Sequence, residues 1–168
     1  MNDLKQTLEL LGLARVETYI QSGNVIFESD EAEESLRRKL ESEIEKTFGV
    51  TTVVILRTSG ELEKLIHACP FSQAEIAEAQ LRNTEGESLY VSLLSHDPDS
   101  VKAEKLNSIK CEGDEFRIID RDIYILLQRS IRNSKLAGSI DKLGAPSTVR
   151  NWKTLNKLMA LAESRTTK

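Results

Sequence analysis

Within six residues, Thr148-Val149-Arg150-Asn151-Trp152-Lys153 bring together a capping hydroxyl, a guanidinium, an amide and an ammonium. Read as a helix that starts at Thr148, the segment offers free backbone N–H groups and the positive end of a helix dipole. Both favour an anion. Arg150 adds a planar fork suited to phosphate or carboxylate, and Lys153 and Lys157 lie on the following turns. Arg129, Arg132 and Lys135 stand upstream. Lys135, Thr148, Arg150, Asn151 and Lys153 are therefore the expected anion-binding residues. The plainer alternative is that Thr148 caps, Trp152 packs in the core, and the cations form a solvated face.

Tyr19, Gln21, Ser22 and Asn24 make a second candidate set, at the rim of a strand turn. Strand-turn rims often carry binding groups, and Gln21 or Asn24 would be costly to bury unpaired. The alternative is turn chemistry, in which Ser22 and Asn24 bond their own backbone and Gly23 supplies the bend.

Charge is sorted along the chain. Residues 1–128 hold 14 Lys+Arg against 25 Asp+Glu, a balance of −11, and residues 129–168 hold 9 against 2, a balance of +7. Such asymmetry can mark an anion-binding face. The acidic body opposes a long polyanion, and aromatics at 5% offer few stacking platforms for bases.

No catalytic residue can be assigned. His67 and His96 are isolated, whereas a metal site needs three or four ligands, so no metal is expected. Cys69 and Cys111 lack a short spacing and read as reduced thiols, a disulfide being the alternative. Gly-x-Ser-x-Gly, Walker and Gly-x-Gly-x-x-Gly motifs are absent, no cofactor is implied, and pairs such as Glu33-Glu34 read as solvation.

A chain of 168 residues, 39% hydrophobic and 30% charged, fits one sizeable globular domain or two small ones. No apolar run approaches the ~20 residues that cross a bilayer, and the N-terminus has no apolar signal core. A cytoplasmic protein without membrane partners is expected.

The elements that must position these side chains follow from periodicity. Leu4, Leu8 and Leu11 define a helix over residues 2–11, ended by Gly12. Alternation over 16–20 and 25–27 predicts a hairpin. Asp30 is the expected cap of a helix with Leu36, Leu40, Ile44 and Phe48 on one face, stopped by Gly49. Val53-Val54-Ile55-Leu56 reads as a buried strand, and Thr58 with Glu61 as a capping box for a helix ended by Pro70. Residues 72–87 read as a short helix and an exposed connection. A strand over 89–94 and a helix capped at Asp97-Pro98 come next. Glu112-Gly113-Asp114 is a turn into a second hairpin over 116–119 and 123–127. A helix over 134–143 precedes the break at Gly144-Ala145-Pro146, and the last helix runs over 149–163.

Two halves emerge: residues 1–70 and 88–168, joined by 71–87. The second reads strand, helix, hairpin, helix. The first reads helix, hairpin, helix, strand, and lacks a strand before its opening helix. The expected fold is α+β, with two related β-α-β-β-α-type subdomains whose helices pack on mixed or antiparallel sheets, the first strand missing. A single irregular α+β domain is the alternative. An unpaired edge invites pairing with another chain, so a homodimer through that edge, or reduced stability, is expected.

Thr18-Tyr19-Ile20-Gln21-Ser22-Gly23-Asn24-Val25-Ile26-Phe27, Asn133-Ser134-Lys135-Leu136 and Thr148-Val149-Arg150-Asn151-Trp152-Lys153-Thr154 resemble the signatures of a bacterial family of unknown function, domain 1697. The resemblance runs from about residue 1 to 162. It implies an α+β fold of two related subdomains and transfers no catalytic role. Members usually begin with an extra strand and a loop reading Arg-Gly-Ile-Asn-Val-Gly-Gly; this chain is similar to a member begun at an internal Met. If that loop belongs to the functional site, the chain carries only half of it.

Three functions are compatible with these residues. The first is a non-enzymatic binding module for a phosphorylated small molecule or a nucleic-acid backbone. The second is an enzyme on a small phosphate- or carboxylate-bearing substrate, with Arg150 as oxyanion clamp, which lacks an identifiable general base. The third is an assembly protein that pairs through its open sheet edge.

Overall fold

Leu89-Tyr90-Val91-Ser92-Leu93-Leu94 carries no charge and no strict alternation, so it suits a strand covered on both faces. In the computed structural model, which describes residues 2–20, 23–109 and 113–166, it forms strand β3 (Leu89–Leu94). The labels β1, β2 and α1 to α4 are kept for the elements before it in the chain. β3 is flanked antiparallel by β5 (Asp122–Leu126) and β6 (Ser147–Asn151), with β4 (Glu115–Ile119) beyond β5. Five of its six residues are buried.

The chain divides into two compact units, residues 1–59 with 157–168, and residues 60–156. In the second unit, alternation along β5 directs Ile123 and Ile125 into a core with Leu94, Leu127 and Leu143. That core includes Leu106 from helix α5 (Ser100–Asn107) and Leu136 and Ile140 from helix α6 (Lys135–Ile140). Tyr124 points to the opposite face. Its hydroxyl donates to the Leu65 carbonyl on helix α3 (Ser59–His67), and its ring lies 6.5 Å from that of Trp152, the first residue of helix α7 (Trp152–Thr166). Helix α4 (Gln73–Arg82) opens with a full capping box between Ser72 and Glu75. At the β4–β5 turn Asp120 sits at φ 55, and Arg121 donates to the Ser95 carbonyl and to Glu61.

The first unit is built from helix α1 (Asn2–Leu10), strands β1 (Ala14–Tyr19) and β2 (Asn24–Glu28), and helix α2 (Glu33–Phe48). β1 and β2 pair antiparallel, and the register slips between Ala14 and Glu17. Leu8, Leu13, Val16, Leu36 and Leu40 form its core, with Val25, Phe27, Val54 and Leu56 packed against it. α+β architecture is thus present in both units, on antiparallel sheets alone.

Four local expectations are corrected. Residues 53–56 form no strand: their apolar side chains reach the core, but the Val54 amide donates to the Glu41 carboxylate at 2.9 Å rather than to a neighbouring strand. α2 starts three residues after Asp30, preceded by Ala32 without a side-chain cap, while Glu33 and Glu34 meet the positive end of its dipole. The cap of α5 is Asp99, not Asp97, because its carboxylate reaches the amides of Val101 and Lys102. Residues 147–151, expected to open the last helix, are strand β6. Ser147, Thr148 and Val149 find partners along β3, and β-branched residues suit that pleated surface. β6 also completes the parallel between the halves, because each now has a post-helix extended segment.

Tyr124→Phe removes the hydroxyl that answers a buried carbonyl, at an expected cost of about 1–3 kcal/mol in urea unfolding. Burial, with the Asp122, Cys69 and Asp120 charges, holds the Tyr124 pKa well above the usual phenol range. Its neutral form therefore contributes fully below the unfolded pKa of about 10 and loses that contribution as pH rises further. The wild type should lose more stability than Tyr124→Phe between about pH 8 and 11. Equal losses would contradict the role of this hydroxyl.

Candidate functional site

Arg150 lies on β6 opposite Val91, half-buried among strands rather than in a helix turn. Its Nη1 donates to the Thr148 hydroxyl at 2.7 Å and to the Val149 carbonyl at 2.8 Å. Burial lowers its pKa from the usual guanidinium value. Thr148 therefore holds a guanidinium rather than a helix terminus. Asn151, paired with Tyr90, ends the strand and caps α7, its Oδ1 accepting from the Thr154 amide at 2.8 Å. Asn151 thus answers one amide of the first turn of α7, and that turn begins at Trp152 rather than at Thr148.

Lys153 and Lys135 are exposed, Lys135 as the first residue of α6, whose cap is Ser134. The Ser134 hydroxyl also donates to Asp114, which accepts the Gln128 amide as well. The Asn133-Ser134-Lys135-Leu136 signature is thus a cap, a tie to the β4 entry, and one core residue, Leu136.

Of the strand-turn set, Gln21 and Ser22 lie outside the described residues. Asn24 is buried at 7% exposure and its amide donates to the Tyr19 carbonyl at 3.3 Å, across the pair that closes β1 on β2. Tyr19 is half-buried, and Ile20 sits at φ 49, a strained conformation for a β-branched residue. Tyr19 and Asn24 belong to the first unit; Lys135, Thr148, Arg150, Asn151 and Lys153 belong to the second.

Thiol and imidazole groups offer little. The Cys69 thiol donates to the Phe71 carbonyl, and burial, with the Glu75 charge, raises its pKa, which suits an inert thiol. Cys111 lies outside the described residues. His67 is exposed and His96 meets the Asp97 carbonyl through Nδ1. Among the described residues, no three His, Cys, Asp or Glu side chains gather as a metal set. None of the described helices is long and apolar enough to cross a membrane.

Sequence reasoning missed a hollow in the first unit, about 360 Å³, lined by Lys5, Arg15, Val16, Glu17, Ser164 and Arg165. Its members are some 150 residues apart in the chain, and the slip that aims Arg15 arises from the pairing of β1 with β2, so no local spacing signals the group.

The family model described as protein of unknown function (DUF1697) matches residues 1–124, and the chain belongs to that family. No curated protein matches the chain. Among solved structures it is similar to the conserved bacterial protein SP0830 from Streptococcus pneumoniae, at 21% identity and a TM-score of 0.75. The match covers 97% of this chain and 88% of that one, and it establishes the shared fold.

Asn151→Ala should cost about 1 kcal/mol and speed exchange of the Thr154 amide. Were α7 to start at Thr148, that amide would bond within the helix, and the substitution would be neutral in thermal melts.

Proposed function

We propose that this protein is an interaction module whose first unit completes its sheet by accepting an extended, apolar segment from another polypeptide. The observation that carries this reading is the parallel between the units. In the second, β3 stands first and lies between the hairpin strand β5 and the post-helix strand β6. In the first, helix, hairpin and helix recur and are followed by residues 53–56. Yet β2 and that segment share no strand between them among the described residues. Both contribute to the same core, through Val25 and Phe27 on one side and Val54 and Leu56 on the other.

Exposed apolar surface supports the same reading. Leu10, Ile20, Phe48, Val50 and Val53 are exposed in the first unit, against Leu81 and Val101 in the larger second unit. β3 indicates the chemistry of the occupant, a strand of about six uncharged residues, added by backbone pairing as in other strand-addition complexes. A labelled peptide carrying the Leu89–Leu94 sequence with flanking lysines is the probe. Saturable binding, with the chain monomeric by light scattering, supports the reading. A homodimer that excludes the peptide assigns the edge to a second copy instead, and neither binding nor dimerisation removes the open edge as a functional surface.

A second reading, recognition of an anionic small molecule, is favoured by a specific observation. Three cationic side chains line the hollow of the first unit against one carboxylate, and Arg165 comes from the basic end of the chain.

A further inference from the structure

Arg165 is the innermost charged group of that hollow. Its side chain is only 10% exposed, and Nη2 pairs with Glu17 Oε2 at 3.1 Å. Nη1 is buried with no hydrogen-bond partner among the described residues. A guanidinium nitrogen buried and unanswered is costly, so such groups call for an explanation.

Arg15 reaches the same hollow from a β-bulge. It sits at φ 51, left-handed for a non-glycine residue, within the stretch where β1 slips register against β2. Bulges re-aim side chains, and this one sends Nη1 to Glu28 at 2.8 Å and to the carbonyl of Arg165 at 3.4 Å. Lys5, on α1, has Glu9 at 4.0 Å. Neither Glu9 nor Glu28 lines the hollow. Lys5, Arg15 and Arg165 thus line the hollow against Glu17, while Glu28 and Glu9 pair with Arg15 and Lys5 from outside it, so a bound anion competes with those two carboxylates. The Ser164 hydroxyl donates back to the Leu161 carbonyl within α7.

We propose that this hollow is an oxyanion site for a phosphate-bearing small molecule, held between the guanidinium of Arg15, the ammonium of Lys5 and the buried guanidinium of Arg165. The inference rests on the anion-binding reading above and gives it a seat distinct from Arg150. A phosphate group carries about −1.5 to −2 at neutral pH, more than either competing carboxylate, and two forked donors suit its oxygens. Glu17 keeps Arg165 oriented and disfavours binding of a second anion. Attraction between these partly exposed charges weakens with salt, so affinity should fall as ionic strength rises.

The test titrates inorganic phosphate into the full chain at low salt, read by amide chemical shifts, with acetate as the monoanion control. Saturable shifts should centre on Lys5, Arg15, Glu17 and Arg165, and phosphate should bind more tightly than acetate. Arg15→Asn keeps a residue that tolerates the left-handed backbone, and Lys5→Gln alters a half-buried position while keeping its length; each should weaken phosphate about tenfold. Arg150→Ala should leave phosphate affinity unchanged. If the wild type binds phosphate and both Arg15→Asn and Lys5→Gln bind equally well, the hollow is not the site, although the anion-binding reading stands. Loss of binding on Arg150→Ala alone would move the site to β6. No saturable shift in the wild type at low salt would end both the inference and the reading beneath it.

Discussion

A strand buried on both faces has nowhere to hide its backbone polar groups except in pairing on both edges. β3 meets that requirement, and the second unit is organised around it. Its neighbours β5 and β6 take up its edges, α5 and α6 cover one face, and Tyr124, packed near Leu65 and Trp152, helps close the other. The first unit repeats the helix, hairpin and helix and has no described counterpart of this strand. Among the described residues it buries five apolar side chains against eighteen in the second unit, and more of its large apolar side chains face solvent.

The parts legible in the sequence are those where local pattern and tertiary demand agree. Alternation and turn residues place both hairpins, and Gly49 at φ 68 ends α2 where a left-handed cap is needed. The uncharged, largely apolar run at 89–94 becomes β3 residue for residue. The two misread segments, 53–56 and 147–151, share one cause, which is that pairing partners are invisible locally. Residues 53–56 and 147–149 both contain β-branched side chains, yet only the latter find a strand, because β3 lies beside them. Trp152 and Leu155 were legible as a helix face, but the three preceding residues could be assigned only by knowing that Ser92, Val91 and Tyr90 stand opposite.

The candidate site shows the same limit more sharply. Arg150 sits in a segment rich in donors, but the strand register turns its guanidinium onto its own Thr148 and Val149. The cation-lined hollow is assembled from α1, a bulged strand and the last turn of α7. Residues so far apart carry no spacing that could be read as a motif. Of them, Arg165 bears the feature that most asks for an explanation, a buried nitrogen without a partner.

The open edge proposed for the first unit is most directly tested by native-state hydrogen exchange on the chain alone. The amides of Val53 and Ile55 should exchange orders of magnitude faster than those of Val91 and Leu93, which open only on global unfolding. Equal protection at both places would show that residues 53–56 are already paired, and the open edge would not exist.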